Sequence, residues 1–412
     1  MIINKYSVIK FTSEFKNCLT AQQRLKFCNL PLNKLVRYKV LKNYDEKIDE
    51  ITGSHVISQI LANRGFDTEE KVKTFLNPMS YPISSPYNFT DMKGAVDRIS
   101  QAVTNQENIV ICGDFDCDGV TSTSVLYKTL LKIGAKAGCY IPNRKTESHG
   151  LNSKAIIEII SKQKAKLIIT VDNGIASIKE IEYATSLGIV TVVTDHHIQS
   201  ENLPDAVAVV DPNRFDCPSD FKQICGAQVA FKVICVTENK EPEELIYEYS
   251  DLLAIAIIGD YMPLIKENRC IVKYGIKQIK NNHNIGISAI LSVAGIEKTA
   301  LDSGKVSFGI APRINAAGRM GDAKRAFELL ISDNIMKAIS LANEIDADNS
   351  NRQKIEKEIF SDAVETIELM QTTGLFQYLN SWSKIQVIGI SQNNLCLDII
   401  LYFRKMNTFD RS

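Results

Sequence analysis

Between residues 108 and 211 the chain alternates short apolar runs with stretches of helical period. The runs are NIVICGD (108–114), KLIITVD (166–172), IVTVVTD (189–195) and AVAVVDP (206–212), each rich in β-branched residues and each carrying an aspartate at its end. SKAIIEIISKQ (153–163) and SIKEIEYATSLG (177–188) lie between them, with apolar residues at helical spacing. Runs apolar at successive positions belong to strands covered on both faces, and their separation by helices predicts βαβ units and a parallel sheet. In that architecture ligands bind outside the carboxyl ends of the strands. Asp114, Asp172, Asp195 and Asp211 would therefore face one crevice.

The pattern outside this region predicts a different organisation. Residues 1–50 carry no readable motif, and RGFDTEEKVKTFLNP (64–78) reads as a small helical unit ended by Pro78. Residues 226–331 are mostly helical by pattern. From 334 to 370 a charged stretch without proline or glycine reads as one long connecting helix, with Asn349-Ser350-Asn351 a point of interruption. The expected division is an N-terminal segment (1–50), an α/β catalytic domain with a helical C-terminal part (51–333), the connecting helix (334–370) and a remnant of a further domain (371–412).

Composition adds limits. The 412 residues are 45% hydrophobic, enough for two or three domains with a sizeable core, and Lys+Arg and Asp+Glu balance at 48 each. Neutrality does not advertise nucleic acid, so a strand-binding groove would have to be locally basic. The ten cysteines contain no CxxC pair, which signals neither zinc nor a disulfide framework and fits free thiols in a reducing cytoplasm. The longest apolar run, LLAIAII (252–258), is far too short to cross a membrane.

The chemistry concentrates in GDFDCDG (113–119), where Asp114, Asp116 and Asp118 alternate before a glycine. A calcium EF-hand would need a glutamate at the twelfth position, which is Val125, so that reading fails and an acidic surface turn stays as the plain alternative. A single aspartate after a strand is ordinarily a turn residue or helix cap. Several crowded at one sheet edge repel unless a cation neutralises them. Asp195-His196-His197 uses two of five histidines on the same edge, and carboxylates with an imidazole suit Mn²⁺ or Mg²⁺ better than zinc. Paired divalent ions bridged by a carboxylate are a common device for phosphate-ester hydrolysis.

ICGDFDCDGVTSTS, YIPNRKTESHGLN, LIITVDNGI, VVTDHHI, VVDPNR, CGAQVAFK, IGDYMPL and APRINAAGRMGDAKRAFELL occur in the order found in RecJ single-strand-specific exonucleases. Over about residues 50–360 the chain resembles that family, part of the DHH phosphoesterase superfamily. The resemblance implies a two-metal 5′-to-3′ exonuclease of DNA repair and recombination, releasing 5′-mononucleotides from single-stranded DNA. It implies Asp114 and Asp116 on one divalent cation, Asp118 on the other, Asp172 bridging, and His196 with Asp260 completing the second site. Asp195 would orient the imidazoles and His197 would sit against the scissile phosphate; Asp116, Asp172, Asp195 and His197 form the expected catalytic set.

Arg313, Asn315 and Arg319 would contact phosphate from a loop, with Arg144 and Lys145 further candidates and His149 decorating its loop. Phe115, Tyr140 and Tyr261 could stack bases, although core packing is the expectation for each. Family members continue beyond residue 412, and Trp382 and VIGI (387–390) only echo their next motif. The chain is therefore expected to be a truncated member that holds metal but cuts single strands poorly. A monomer in the cytoplasm is expected, with single-strand-binding protein as a family-implied partner. Two other readings stay open: a phosphoesterase for short oligonucleotides or small phosphoesters, and a non-catalytic strand-binding scaffold.

Overall fold

The computed structural model describes residues 44–147 and 150–372, side chains through 362, and an antiparallel pairing of Ser7–Val8 with Arg37–Tyr38. The chain divides into two compact units, residues 1–81 and 82–412. In the first, α1 (Lys47–Thr52), α2 (His55–Asn63) and α3 (Glu69–Leu76) close on Ile48, Leu61 and Val72, with Phe66 and Phe75 against them. Helix α2 starts where Ser54 Oγ accepts the Ile57 N–H, and α3 where Thr68 does the same for Lys71. This small helical unit is the one expected near Pro78. It has its own core, and the second compact unit begins at Pro82.

The second unit holds a five-stranded parallel sheet: β1 (Asn108–Cys112), β2 (Lys136–Tyr140), β3 (Leu167–Val171), β4 (Val190–Thr194) and β5 (Ala208–Val210), in the order β2-β1-β3-β4-β5. The four apolar runs are β1, β3, β4 and β5. Edge strand β2, KAGCY, lacks such a run because most of its positions stay partly exposed, unlike those of the other edge strand, β5. Ile109 and Ile111 of β1 face one layer and Val110 and Cys112 the other, and β3 and β4 alternate likewise. On the first face pack α4 (Met92–Thr104), α5 (Cys117–Lys132), and the helices that follow the sheet. On the second lie α6 (Ser153–Gln163) and α7 (Ile178–Ser186).

The chain leaves β1 for β2 on one side and returns to β3 on the other. This reversal makes the carboxyl ends of β1 and β3 the switch point, where a crevice opens. Helices α8 (Gly226–Thr237), α9 (Pro242–Gly259), α10 (Lys266–Lys280) and α11 (Ile285–Val293) stack beyond the sheet. LLAIAII is the C-terminal part of α9 and buried throughout. After a π-helical segment, Val306–Ile310, come α12 (Ala311–Met320), α13 (Lys324–Leu330) and α14 (Ile335–Thr372).

Two expectations change here. APRINAAGR forms helix α12 and not a loop, because Pro312 sits in its first turn, where a missing N–H costs nothing. Helix α14 runs uninterrupted through Asn349-Ser350-Asn351, and its first half is no bridge: Ala338, Leu341, Ala342 and Ile345 form a buried stripe, and Asn349 is buried as well. Residues 373–412, where the truncated further domain was expected, lie outside the described residues.

One buried ion pair anchors the start of the catalytic unit. Lys232 of α8 and Glu267 of α10 are inaccessible, their charged atoms 3.1 Å apart. Lys232 Nζ donates to the Ser84 carbonyl at 2.5 Å, while Glu267 Oε2 accepts from the Ser84 N–H at 2.7 Å and from its hydroxyl at 2.8 Å. Removing one member leaves the other charge buried and uncompensated. Lys232→Met is expected to cost about 3 kcal/mol in urea denaturation, and adding Glu267→Gln should restore more than half of that loss. A single variant as stable as wild type would show that the pair does not anchor the segment.

Candidate metal centre and strand cleft

The acidic turn after β1 is built so that its three aspartates point in different directions. Asp116 caps α5, its Oδ1 accepting the Gly119 N–H at 3.0 Å. Asp118, on the first turn of α5, reaches the N-terminus of α8, where the Gly226 and Ala227 N–H groups donate to its Oδ2 and Oδ1 at 2.6 and 2.9 Å. Those amides are orphan donors of the helix start, and the helix dipole favours a carboxylate there. A side chain at Gly226 could not fit, since its Cβ would lie 2.6 Å from Asp172 Cβ. Asp114 stays at the strand end, its Oδ1 accepting the Phe115 N–H at 2.8 Å.

Asp172 follows β3 in the left-handed region, φ 60°, a conformation that costs a non-glycine residue about 1–2 kcal/mol. This places its Oδ1 3.0 Å from His196 Nε2. The same nitrogen is 3.6 Å from Asp118 Oδ2 and 3.7 Å from Asp260 Oδ2. Asp260 stands at the C-terminus of α9, and its Oδ2 is buried without a hydrogen-bond partner among the described residues. Ligand atoms thus converge in two overlapping triads, Asp118–His196–Asp260 and Asp172–His196–His197, each within 4.8 Å.

Asp195 holds the turn and fixes the His197 ring. It is buried, accepts from the His196 and His197 N–H groups at 2.7 and 3.2 Å and from the Ile175 N–H at 2.9 Å, and bonds His197 Nδ1 at 2.7 Å. Burial raises its pKa, but the bond to His197, that residue's charge and the backbone donors outweigh burial and hold it below the usual range. The Asp195 bond in turn pushes His197 up to about 9 in the metal-free site. With Nδ1 engaged by Asp195, His197 has Nε2 left to offer, to a cation or, when protonated, to a phosphate oxygen. Burial lowers the His196 pKa and leaves it a neutral ligand.

The remaining carboxyls are in electrostatic conflict. Burial, then the charges of Asp118, Asp116, Asp195 and Asp114, pushes Asp172 well above the ordinary range. Burial and the Asp114 charge bring Asp116 to about 6, and burial with the Asp118 and Asp116 charges brings Asp260 to about 8. The group cannot ionise together by itself. Hard divalent cations match the oxygen-rich donor set, and the unpartnered Asp260 Oδ2 supplies an acceptor such a cation would satisfy.

Over this floor opens a cleft of about 360 Å³, whose lining includes Asp116, Asp118, Asp260, Asn315, Arg319 and Arg352. Asn315 Oδ1 accepts the Cys117 N–H at 2.8 Å and so fixes the acidic turn to α12. Arg319 is half-buried, and no carboxylate or carbonyl among the described residues pairs with it. Burial, with the nearby cations Arg144 and Arg352, lowers its pKa. Arg144 stacks over the Phe115 ring at 5.1 Å, and Lys145 Nζ donates to the Met320 carbonyl at 2.6 Å, latching its loop to the end of α12.

Arg313 is not brought to the site. Six positions before Arg319 on α12, it binds Asp346 Oδ1 through Nε at 2.7 Å and the Gly309 carbonyl through a terminal nitrogen, and it lines a separate hollow. The helix, where a loop was expected, separates the two arginines. Phe115 and Tyr140 are core residues, Tyr140 donating its hydroxyl to Glu147 at 2.6 Å. Tyr261 is not; it is 68% exposed in the cleft. His149 lies outside the described residues. Sequence reasoning missed Arg352, which carries no local signal on a charged helix. It also missed the Gly226–Ala227 amide cradle, hinted at only by a glycine opening a helical pattern.

The model of the DHH family N-terminal domain matches residues 108–257. The single-stranded-DNA-specific exonuclease RecJ of Bacillus subtilis is 37% identical over 366 residues, 87% of this chain and 46% of that protein. The chain thus spans about half the length of such curated relatives. Among solved structures, an exonuclease RecJ bound to manganese aligns with TM-score 0.62 and 30% identity over 68% of this chain and 70% of the other. RecJ from Thermus thermophilus in complex with Mn²⁺ aligns with TM-score 0.61 and 29% identity over 73% and 43%. The parallel sheet, the Asp195-His196-His197 turn and the shared extent of these alignments place the chain in the DHH family, on its RecJ branch.

Proposed function

We propose that this chain carries the catalytic core of a metal-dependent, single-strand-specific 5′-to-3′ DNA exonuclease. The observation that supports it most is the Asp118–His196–Asp260 triad, whose two carboxylates line a cleft with Arg319 and Arg352 in its wall. Carboxylates alone would repel a phosphodiester. Cations bound by them, together with the arginines, make the cleft attractive to one.

Asp114, Asp116, Asp118, Asp172, His196 and Asp260 would hold two divalent cations, Mn²⁺ or Mg²⁺. Such ions supply an activated water and neutralise charge on the phosphate oxygens. His197 would donate from Nε2 to a non-bridging oxygen of the scissile phosphate, its ring held by the Asp195 bond. Arg319 would seat a neighbouring phosphate, with Arg352 beside it once released from its 2.6 Å bond to Glu356, and Asn315 would keep the acidic turn in register with them. The reading extends to a cytoplasmic monomer acting on strands presented by single-strand-binding protein, as the family resemblance implies. No helix among the described residues is long and apolar enough to cross a membrane.

With Mn²⁺, end-labelled single strands should lose mononucleotides from the 5′ end, and Asp116→Ala should abolish this. His197→Gln should lower kcat by roughly 10²-fold with little change in KM, whereas Arg319→Ala should mainly raise KM. Loss from the 3′ end, or digestion by Asp116→Ala, would overturn the assignment. Cleavage confined to dinucleotides would instead favour an enzyme for short oligonucleotides.

The charge conflict also gives a pH dependence. Asp116 and Asp260 titrate higher in the folded chain than in the unfolded one, so between the two values the folded state holds more protons and stability falls as pH rises. His197, raised to about 9, adds stability below its unfolded value that is lost as pH passes through its folded one. Both effects run the same way. With chelator present the melting temperature should therefore fall from about pH 5 to pH 9. Mn²⁺ competes with protons, so its stabilising effect should grow over the same range; Asp260→Asn should flatten both trends. A chelated protein that becomes more stable toward pH 9 would contradict the site's electrostatics.

A further inference from the structure

Two large aromatic side chains stand exposed in the cleft. Tyr261 is 68% and Phe308 79% exposed, and both line the same cavity as Asp116, Asp118, Asp260, Arg319 and Arg352. Neither position is one that packing explains.

Tyr261 closes α9. Its N–H donates to the Ile258 carbonyl at 3.3 Å and the Met262 N–H to the Ile257 carbonyl at 3.0 Å, with Tyr261 itself at φ 57°. That is the hydrogen-bond pattern of a Schellman turn, whose left-handed residue is ordinarily glycine. Here a bulky aromatic accepts the strained conformation one residue after Asp260, and its ring gains little burial in return. A strained residue of this kind points to a role outside folding. Phe308 lies at the centre of the π-helical segment Val306–Ile310, whose ends, Val306 and Ile310, are fully buried. The segment thus keeps its ends in the core while Phe308 projects into the cleft, and π-helical insertions are frequent at functional sites.

We propose that Tyr261 and Phe308 are stacking platforms for unpaired nucleobases, a reading that rests on the nuclease assignment above. A single strand presents phosphates and flat apolar rings side by side, and the cleft offers a matching pair of surfaces: arginines for the phosphates, aromatic faces for the bases. Every base has a π-face, so such contacts hold a strand without selecting its sequence. A base paired within a duplex has both faces covered by its neighbours, so the platforms favour single strands. Tyr261, beside Asp260, would position the nucleotide nearest the acidic floor; it does not act on the phosphate.

The test compares binding of a fluorescein-labelled oligothymidylate with an oligomer of equal length made of abasic sites, using the full chain in Ca²⁺, with cleavage then measured in Mn²⁺. Wild type should bind the oligothymidylate about tenfold more tightly, and Tyr261→Phe should keep that preference. Tyr261→Gly and Tyr261→Asn, both at ease in the left-handed conformation, should lose most of the preference and raise KM more than they lower kcat, as should Phe308→Leu. Their melting temperatures and Mn²⁺ binding should match wild type, which separates loss of the ring from damage to the Asp260 turn. If wild type binds neither oligomer, the nucleic-acid reading falls and this proposal with it. If wild type digests single strands but binds both oligomers equally, or Tyr261→Asn keeps the preference, stacking is refuted and the nuclease reading stands.

Discussion

Mutual repulsion among buried carboxylates is the constraint around which this chain is organised. Asp114, Asp116, Asp118, Asp172, Asp195 and Asp260 converge at one end of a sheet, and burial there raises the cost of each charge. The fold distributes that cost unequally. Asp118 receives two amide donors from the start of α8, and Asp195 receives three backbone donors and an imidazole. Asp172 and Asp260 receive far less, and theirs are the carboxyls driven furthest up. A site with some acids satisfied by protein and others left in conflict is prepared for cations.

The surrounding architecture serves that arrangement. The switch between β1 and β3 brings Asp114 and Asp172 to adjacent strand ends, and Gly226 lets the start of α8 come close enough to Asp172 for its amides to reach Asp118. Beyond the floor, α12 adds Arg319 and α14 adds Arg352, which is bonded to Glu356 in the same wall. Arg319 and Arg352 are distant in sequence, yet each is near enough to shift the electrostatics of the cleft. Two of the left-handed non-glycine residues, Asp172 and Tyr261, stand in the same place. Such conformations persist only where packed elements on both sides hold them, which here are the sheet for Asp172 and α9 for Tyr261.

How much of this was legible in the sequence follows from the range of each interaction. Apolar runs ending in aspartate reported β1, β3, β4 and β5, because burial on both faces leaves a continuous local signature. Edge strand β2 left none. The metal-ligand candidates were legible because their residue types cluster in short motifs, and the structure brings Asp118 and Asp260 on one side, and Asp172 on the other, within reach of His196. The phosphate contacts were less so. Arg313 and Arg319 look equivalent in APRINAAGR, and the choice between them depends on which face α12 turns toward the cleft.

The sequence by itself determined the parallel α/β class, the acidic strand ends and the Asp195-His196-His197 turn, since strand period, turn chemistry and residue type are local properties. Only the tertiary structure decided that Arg313 pairs with Asp346 while Arg319 enters the cleft, and that Arg352 joins it from a helix read as a connector. It also decided that Tyr261 is exposed where core packing was expected. Those outcomes depend on helix rotation, on which elements pack together and on left-handed turns. Each is fixed by contacts between residues far apart in the chain, which no local pattern encodes.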